Sequence, residues 1–316
     1  MRIGQNPAKS ISHVPQPQRV TVAILTYVPF LSGYYAQSLE VLKACLGSLQ
    51  QNTEQPFDLL VFDNASCPEV HQYLTEQHDS GMIQYLVLSA RNVGKGGAWN
   101  LIFQGAPGQV VAYADSDVYF YPGWLRRSLE ILDTFPRVGM VTARPLRAFE
   151  TYYSSTLEWA RQDTEAALES GQFIPWEVYI EHADSLGQSP EESRKWFDTL
   201  KDWRIHYRGL TAHAGAAHFQ FTAFKDVLKP LFPLHMNRPM GQVRGLDQAL
   251  NEQGYLRLAT CEPLVKHLGN RLERAENYQR TAARRSPARI WNLPLIRKSL
   301  LWIYNQIFRI YFEGKP

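Results

Sequence analysis

Cysteine is scarce in this chain. Cys45, Cys67 and Cys261 are three among 316 residues, odd in number, far apart and without a CxxC pair. That spacing excludes a disulfide framework, and a reducing cytosol is the simplest compartment it fits. Long apolar runs are missing too. No stretch reaches the roughly 18 uncharged apolar residues that a membrane-spanning helix needs. Residues 1–18 contain Pro, Gln, Ser and Lys but no apolar h-region, so no signal peptide is read there and the segment reads as a disordered arm. Charge of one sign is not in excess. The formal net charge is +3, too small a bias to imply a nucleic-acid partner. Two phosphate-binding signatures are also absent. Lys95 is followed by no Ser or Thr and its loop lacks the leading glycine of a Walker A segment. No G-x-G-x-x-G follows the first apolar run, which counts against a dinucleotide site.

What is present is an ordinary globular composition, 45% hydrophobic and 20% charged, in a chain long enough to bury the core of one large domain or one and a half. Residues 20–143 alternate strand and helix patterns. Val20–Thr26, Phe57–Phe62, Ile83–Leu88, Val110–Ala114 and Val138–Thr142 read as short buried strands. Between them, helices are read to about Gln51, over Glu69–His78 behind Pro68, over Ala98–Gln104 and over Pro122–Phe135. Repeated βα units predict an α/β fold with a doubly wound, mostly parallel sheet.

From residue 150 to 205 the strand patterns vanish, and Trp, Glu, Lys and Arg take over. Ser189-Pro190-Glu191-Glu192 combines a capping box with proline in the first turn, so a helical insertion is expected. His218–Phe224 and Tyr255–Thr260 restore strands around a helix at Gly245–Gln253. The division that follows is an arm (1–18), a first α/β half (19–149), the helical insertion (150–210), a second half of the same domain (211–285) and an amphipathic helical tail (286–316). Within the tail, Ser299–Phe308 carries no charge and is flanked by Arg297, Lys298 and Arg309. Packing on the main domain is its first reading. Dimerisation and peripheral membrane contact stay open.

Asp115-Ser116-Asp117 closes the apolar run Val110–Ala114. Side chains alternate along a strand, so two acids at i and i+2 converge at its carboxyl end, where open α/β sheets bind ligands. Such a pair can hold a hard divalent cation, with phosphates and waters completing its shell. A helix cap or turn is the plainer reading of the same residues.

Four signals then stand in order: a strand ending Leu25-Thr26-Tyr27, a strand ending Asp63-Asn64-Ala65-Ser66, the loop Arg91–Asn100, and Asp115-Ser116-Asp117. Their order and spacing resemble the family 2 glycosyltransferases, inverting enzymes of the GT-A fold. The likeness is clearest over 20–143, weaker over 213–270, and does not cover the arm, insertion or tail. The resemblance implies that Thr26, Tyr27, Asp63 and Asn64 lie against the nucleotide, with Asp63 taking the base N–H. The family often has a second acid where this chain has Asn64. It further implies that Asn92, Lys95 and Gly97 flank the donor's phosphates and sugar, and that Asp115 and Ser116 sit beside the donor. Asp115 and Asp117, with His267, would be ligands for Mn²⁺ or Mg²⁺, and Asp247 would be the general base, although Leu246 replaces the acid that usually precedes it. The partners implied are a UDP- or dTDP-linked sugar and a saccharide or lipid-linked acceptor, in a cytoplasmic enzyme of the polysaccharide-biosynthesis type.

Each residue also has a plainer reading. Asp63 suits a turn after its strand. Asp247 suits the first turn of a helix. His213 and His218 read as structural, with an acceptor-side role as the alternative. Trp99 and Trp124 read as core, although a ring close behind the Asp-Ser-Asp segment would suit a sugar. Two other functions stay open on these residues: a sugar nucleotidyltransferase, and a non-catalytic binding protein of the same fold.

Overall fold

The computed structural model describes residues 4–236 and 243–272, together with Ser299, Trp302 and Gln306. The chain divides into two compact units, Met1–Leu272 and Glu273–Pro316. All elements below belong to the first unit. The tail helix read over 286–316 lies outside the described residues, apart from those three single positions.

Among the described residues, twelve strands run in chain order: β1 Val20–Thr26, β2 Asp58–Asp63, β3 Tyr85–Leu88, β4 Val110–Asp115, β5 Val118–Phe120, β6 Val138–Thr142, β7 Ala167–Gly171, β8 Asp202–Tyr207, β9 Leu210–Ala214, β10 Gln220–Phe224, β11 Leu256–Ala259 and β12 Val265–His267. The α-helices are α1 Ser38–Asn52, α2 Pro68–Asp79, α3 Gly94–Gly105, α4 Trp124–Thr134, α5 Ser154–Gln162, α6 Trp176–Ser185, α7 Pro190–Thr199, α8 Lys225–Leu228 and α9 Arg244–Glu252. Ten strands form one sheet in the order β3-β2-β1-β4-β10-β6-β11-β9-β8-β7. It is mixed. β3, β2, β1 and β4 are parallel, β10 enters antiparallel between β4 and β6, β11 runs parallel to β6, and β9, β8 and β7 follow antiparallel. β5 and β12 pair separately.

The sheet is covered on both faces, which is why its central strands read as unbroken apolar runs. Val20, Val22 and Ile24 of β1 face one core with Leu42 and Leu46 of α1 and Leu125 of α4. Ala23 and Leu25 face the other, with Trp99, Ile102 and Phe103 of α3. Trp99, Phe103, Tyr113 and Phe221 interlock in that second core at centroid distances of 5.2–5.9 Å. Trp99 and Trp124 are both buried, and Trp124 Nε1 donates to Thr53 Oγ1. Neither ring is a surface platform.

The insertion is not purely helical. α5, α6 and α7 are there, and Ser189 caps α7 through a bond from Glu192 N. However, β7 and β8 also fall in this stretch and extend the main sheet. β7 (ALESG) is an edge strand with no buried residue, so no apolar alternation marks it. The glycine-rich segment differs too: α3 begins at Gly94, four residues before the start read from sequence. Gly94 holds φ +72°, the left-handed region, and opens the helix there. The arm is exposed throughout its described length, with one 3₁₀ turn at Pro7–Ser10.

Candidate functional site

Three candidate residues stand at the carboxyl ends of adjacent parallel strands. Thr26 aligns with Asp63, and Leu25 with Asp115. This rim is where open α/β sheets hold ligands. Thr26 is buried with its hydroxyl unpartnered among the described residues, and Tyr27 is half-buried with its ring edge-on to Tyr35.

Asp63 is fully buried. Its Oδ2 accepts from Ser66 N at 3.1 Å and lies 2.7 Å from His71 Nε2, while Oδ1 has no partner. The turn chemistry of Asp-Asn-Ala-Ser is therefore realised, with Ala65 at φ 69°, and a histidine from α2 is added. Asn64 is buried as well. Its amide donates to Asn92 Oδ1 at 2.9 Å, its carbonyl accepts from Val93 N at 2.9 Å, and Asn92 Oδ1 also takes Gly94 N at 2.8 Å. The two asparagines latch the start of α3 to the end of β2. Gly97 lies inside α3, where a Cβ would press to 3.1 Å on that of Val93.

Lys95, in the first turn of α3, puts its ammonium 2.6 Å from Asp115 Oδ2. Tyr113 Oη donates to Asp115 Oδ1 at 2.5 Å, from two residues earlier on the same face of β4. Both oxygens of Asp115 are thus occupied. The chain turns at Ser116, whose N–H donates to Leu25 O, and Asp117 leads into β5. Pairing of β5 with β12 sets His267 against Val118, so that His267 Nε2 lies 3.3 Å from Asp117 Oδ2. His267 Nδ1 is 3.0 Å from Ser185 Oγ. Asp117 Oδ1 is buried without a partner. Desolvation raises the Asp117 carboxyl above the usual range, against the pull of His267, with Asp115 raising it further.

No group of three or more His, Cys, Asp or Glu residues that could hold a metal ion forms among the described residues. The donors nevertheless suit a hard cation. Asp117 has an orphaned carboxylate oxygen beside an imidazole, an O/N pair appropriate to Mn²⁺. Asp115 adds to that set only when Lys95 lets it go. Two protein ligands are ordinary for a cation whose remaining positions go to water and substrate phosphate.

In the second half of the described chain, Asp247 is buried in α9 rather than exposed in its first turn. Its Oδ1 accepts from Arg257 Nη2 at 2.7 Å and its Oδ2 lies 3.3 Å from His218 Nδ1. Arg257, on β11, is itself buried and also donates to Ala216 O and Tyr152 O. Burial lowers the guanidinium's proton affinity, and Asp247 opposes that loss. His213 is separate from this cluster and accepts from Arg204 Nε. A cavity of about 190 Å³ lies beside Ala216 and Ala217, lined mainly by Leu146, Ile174, Val178 and Leu186. A larger groove of about 500 Å³, between α4 and Arg208, contains none of the candidate residues.

Two partners stand out that the sequence did not suggest. Arg257 had a signal: one charge inside the apolar run of β11 demands a buried carboxylate. His71 had none, since its contact with Asp63 depends on how α2 docks.

Residues 34–174 match the model of the family described as glycosyl transferase family 2. An uncharacterized glycosyltransferase of Nostoc sp. (strain PCC 7120) is 27% identical over 100 residues, which are 32% of this chain and 31% of that protein. S. aureus TarS 1–349 in complex with UDP-GlcNAc superposes with a TM-score of 0.46 at 12% identity, over 81% of this chain and 60% of that one. Mannosyltransferase PcManGT from Pyrobaculum calidifontis, in complex with GDP-Man and Mn²⁺, gives 0.43 at 18% identity, over 79% and 56%. The chain spans less than two thirds of each of these proteins. The family match takes in Asp63, Lys95, Asp115 and Asp117 and stops before Asp247 and His267. Over residues 34–174, this chain is similar to glycosyl transferase family 2.

Proposed function

We propose that the protein is an inverting glycosyltransferase of GT-A type. It transfers a sugar from a nucleoside diphosphate, UDP or dTDP as the leading choices, to a hydroxyl of a saccharide or lipid-linked acceptor. The observation that carries this reading is the meeting of Lys95, Asp115, Asp117 and His267 at the rim of the parallel strands, largely within the family-matched segment. Lys95 is the cation for a donor phosphate, and it has a carboxylate to exchange for that phosphate. Asp117 and His267, joined by Asp115, would hold Mn²⁺ or Mg²⁺. When bound, the cation supplies charge neutralisation for the departing diphosphate. The buried Thr26, Asp63 and Asn64, with the exposed Asn92 latched to Asn64, set the shape of the nucleotide's bed, and Tyr27, Gly97 and Ser116 border it. Asp247 provides the negative charge of the acceptor side. A single displacement at the anomeric carbon inverts its configuration.

The test is nucleotide release from UDP-GlcNAc and GDP-mannose, with and without EDTA, for the wild type and Asp117→Ala. Cation-dependent release that Asp117→Ala abolishes is expected. Equal release in all cases removes the metal role. One observation favours a non-catalytic binding protein: Asn64 spends both polar groups of its side chain inside the fold. Binding of UDP with Mn²⁺ but no turnover on any acceptor would support that second reading.

A further inference from the structure

Asp247 is poorly placed to take a proton from an acceptor. Its side chain is 7% exposed, and both oxygens are engaged, one by a guanidinium that is itself 2% exposed. His218, by contrast, is 35% exposed at the side chain, and its Nδ1 faces Asp247 while Nε2 has no partner among the described residues. A proton held on Nδ1 toward the carboxylate leaves the Nε2 lone pair outward.

The location suits the chemistry. Asp115 N donates to Phe219 O, so the turn that carries His218 into β10 lies directly alongside the Asp-Ser-Asp turn. The His218 ring lies 6.5 Å from that of Trp99, and Lys95 Nζ lies 5.4 Å from the same Trp99 ring. One buried indole therefore adjoins both the donor-side lysine and this imidazole. The residues leading into His218, Ala216 and Ala217, line the 190 Å³ cavity. Arg257 ties the backbone at Ala216 to Asp247 and so fixes the imidazole's carboxylate partner against the segment that carries it.

We infer that His218 is the group that accepts the acceptor's proton, with Asp247 and Arg257 as the residues that position it. This inference rests on the glycosyltransferase reading above. In the step, the acceptor O–H gives its proton to His218 Nε2 as its oxygen bonds to the anomeric carbon. The bond from that carbon to the phosphate oxygen breaks, and the electron pair leaves on the nucleoside diphosphate. The imidazolium then returns the proton to solvent. Its charge is balanced by Asp247, which shares itself with Arg257. Lys95 is the other cation near Trp99.

The test uses the full chain with UDP-GlcNAc and GDP-mannose as donors, water as acceptor, and UDP with Mn²⁺ as the binding probe. His218→Asn retains a polar group near the Nδ1 position but no base. It should lower kcat roughly 10²–10⁴-fold, with UDP–Mn²⁺ affinity within about twofold of wild type. The acid limb of the wild-type kcat/KM profile should be lost in this variant. In His218→Ala, added imidazole should restore part of the rate. Asp247→Asn should lower kcat less, and the double variant no further than His218→Asn alone. A His218→Asn protein that binds UDP–Mn²⁺ and turns over at the wild-type rate, with the acid limb intact, overturns the inference and leaves the glycosyltransferase reading standing. A wild type that releases nucleotide from neither donor overturns both.

Discussion

Lys95 and Asp115 close a 2.6 Å ion pair between the first turn of α3 and the carboxyl end of β4, with the two side chains 16% and 26% exposed. The contact occupies two groups that a bound donor would each use differently. Phosphate competes for the ammonium, and a cation competes for the carboxylate. On the glycosyltransferase reading, arrival of either ligand would release the partner for the other. Lys95→Ala should therefore act in opposite directions on the two ligands. UDP affinity in the presence of Mn²⁺ should fall about 10–100-fold, the loss of a charge-assisted hydrogen bond of roughly 1.5–3 kcal/mol. Affinity for Mn²⁺ alone should rise, because Asp115 is no longer held. Calorimetric titration of each ligand measures both, and a parallel loss of the two would dismiss the exchange.

The Asn64–Asn92 latch predicts an asymmetry at a position where related enzymes often carry an acid. Asn64 donates through one atom and accepts through the other, and Asn92 Oδ1 has no proton to offer in return. Asn64→Asp keeps the bond from Val93 N but sets a carboxylate against Asn92 Oδ1. Asn64→Ala leaves the partly buried Val93 N–H without its acceptor and the Asn92 carbonyl short of a partner. Each should cost roughly 1–3 kcal/mol. The urea midpoint should fall in both variants, with an unchanged m-value.

Asn64 also shows where sequence reading stops. The strands β1, β2 and β4 were legible because burial on both faces leaves unbroken apolar runs, and their polar terminators Thr26, Asp63 and Asp115 marked the rim without further information. Side-chain partners were not legible in the same way. The latch, the His71–Asp63 contact and the Lys95–Asp115 pair join residues 8 to 28 positions apart through loop and helix docking that no local pattern encodes. Asp247 was found by its place in a family pattern, yet what surrounds it, Arg257 and His218, depends on three different elements meeting. β7 was invisible for the opposite reason: an exposed edge has no buried side to betray it.

His213 makes the fold acid-sensitive. It is buried, its Nε2 accepts from Arg204 Nε, and burial next to that guanidinium depresses its pKa to about 4. The unfolded chain binds this proton near the ordinary value of about 6.5. Protons therefore favour unfolding, and stability contributed by the neutral ring is intact above pH 6.5 and drains as pH falls toward 4. The loss is on the order of 2 kcal/mol at pH 5 and about 3 below pH 4. His213→Gln keeps an acceptor for Arg204 and removes the titration. Urea midpoints from pH 7 to 4 should fall less steeply in this variant than in the wild type.

Asp117 carries the reverse cost. Its Oδ1 is buried without a partner, and desolvation disfavours its charge. In the absence of metal, removing that charge relieves the fold. In the presence of metal, the same change removes a ligand that stabilises the native state by mass action. Asp117→Asn should consequently melt at or above the wild-type temperature in EDTA. In millimolar Mn²⁺ the wild type should rise and the variant should not, so that the order of the two melting temperatures reverses. Differential scanning calorimetry of both proteins in both buffers decides the matter. A Mn²⁺-induced rise of equal size in the variant would mean that the cation sits elsewhere, and it would take His267 out of the metal site along with Asp117.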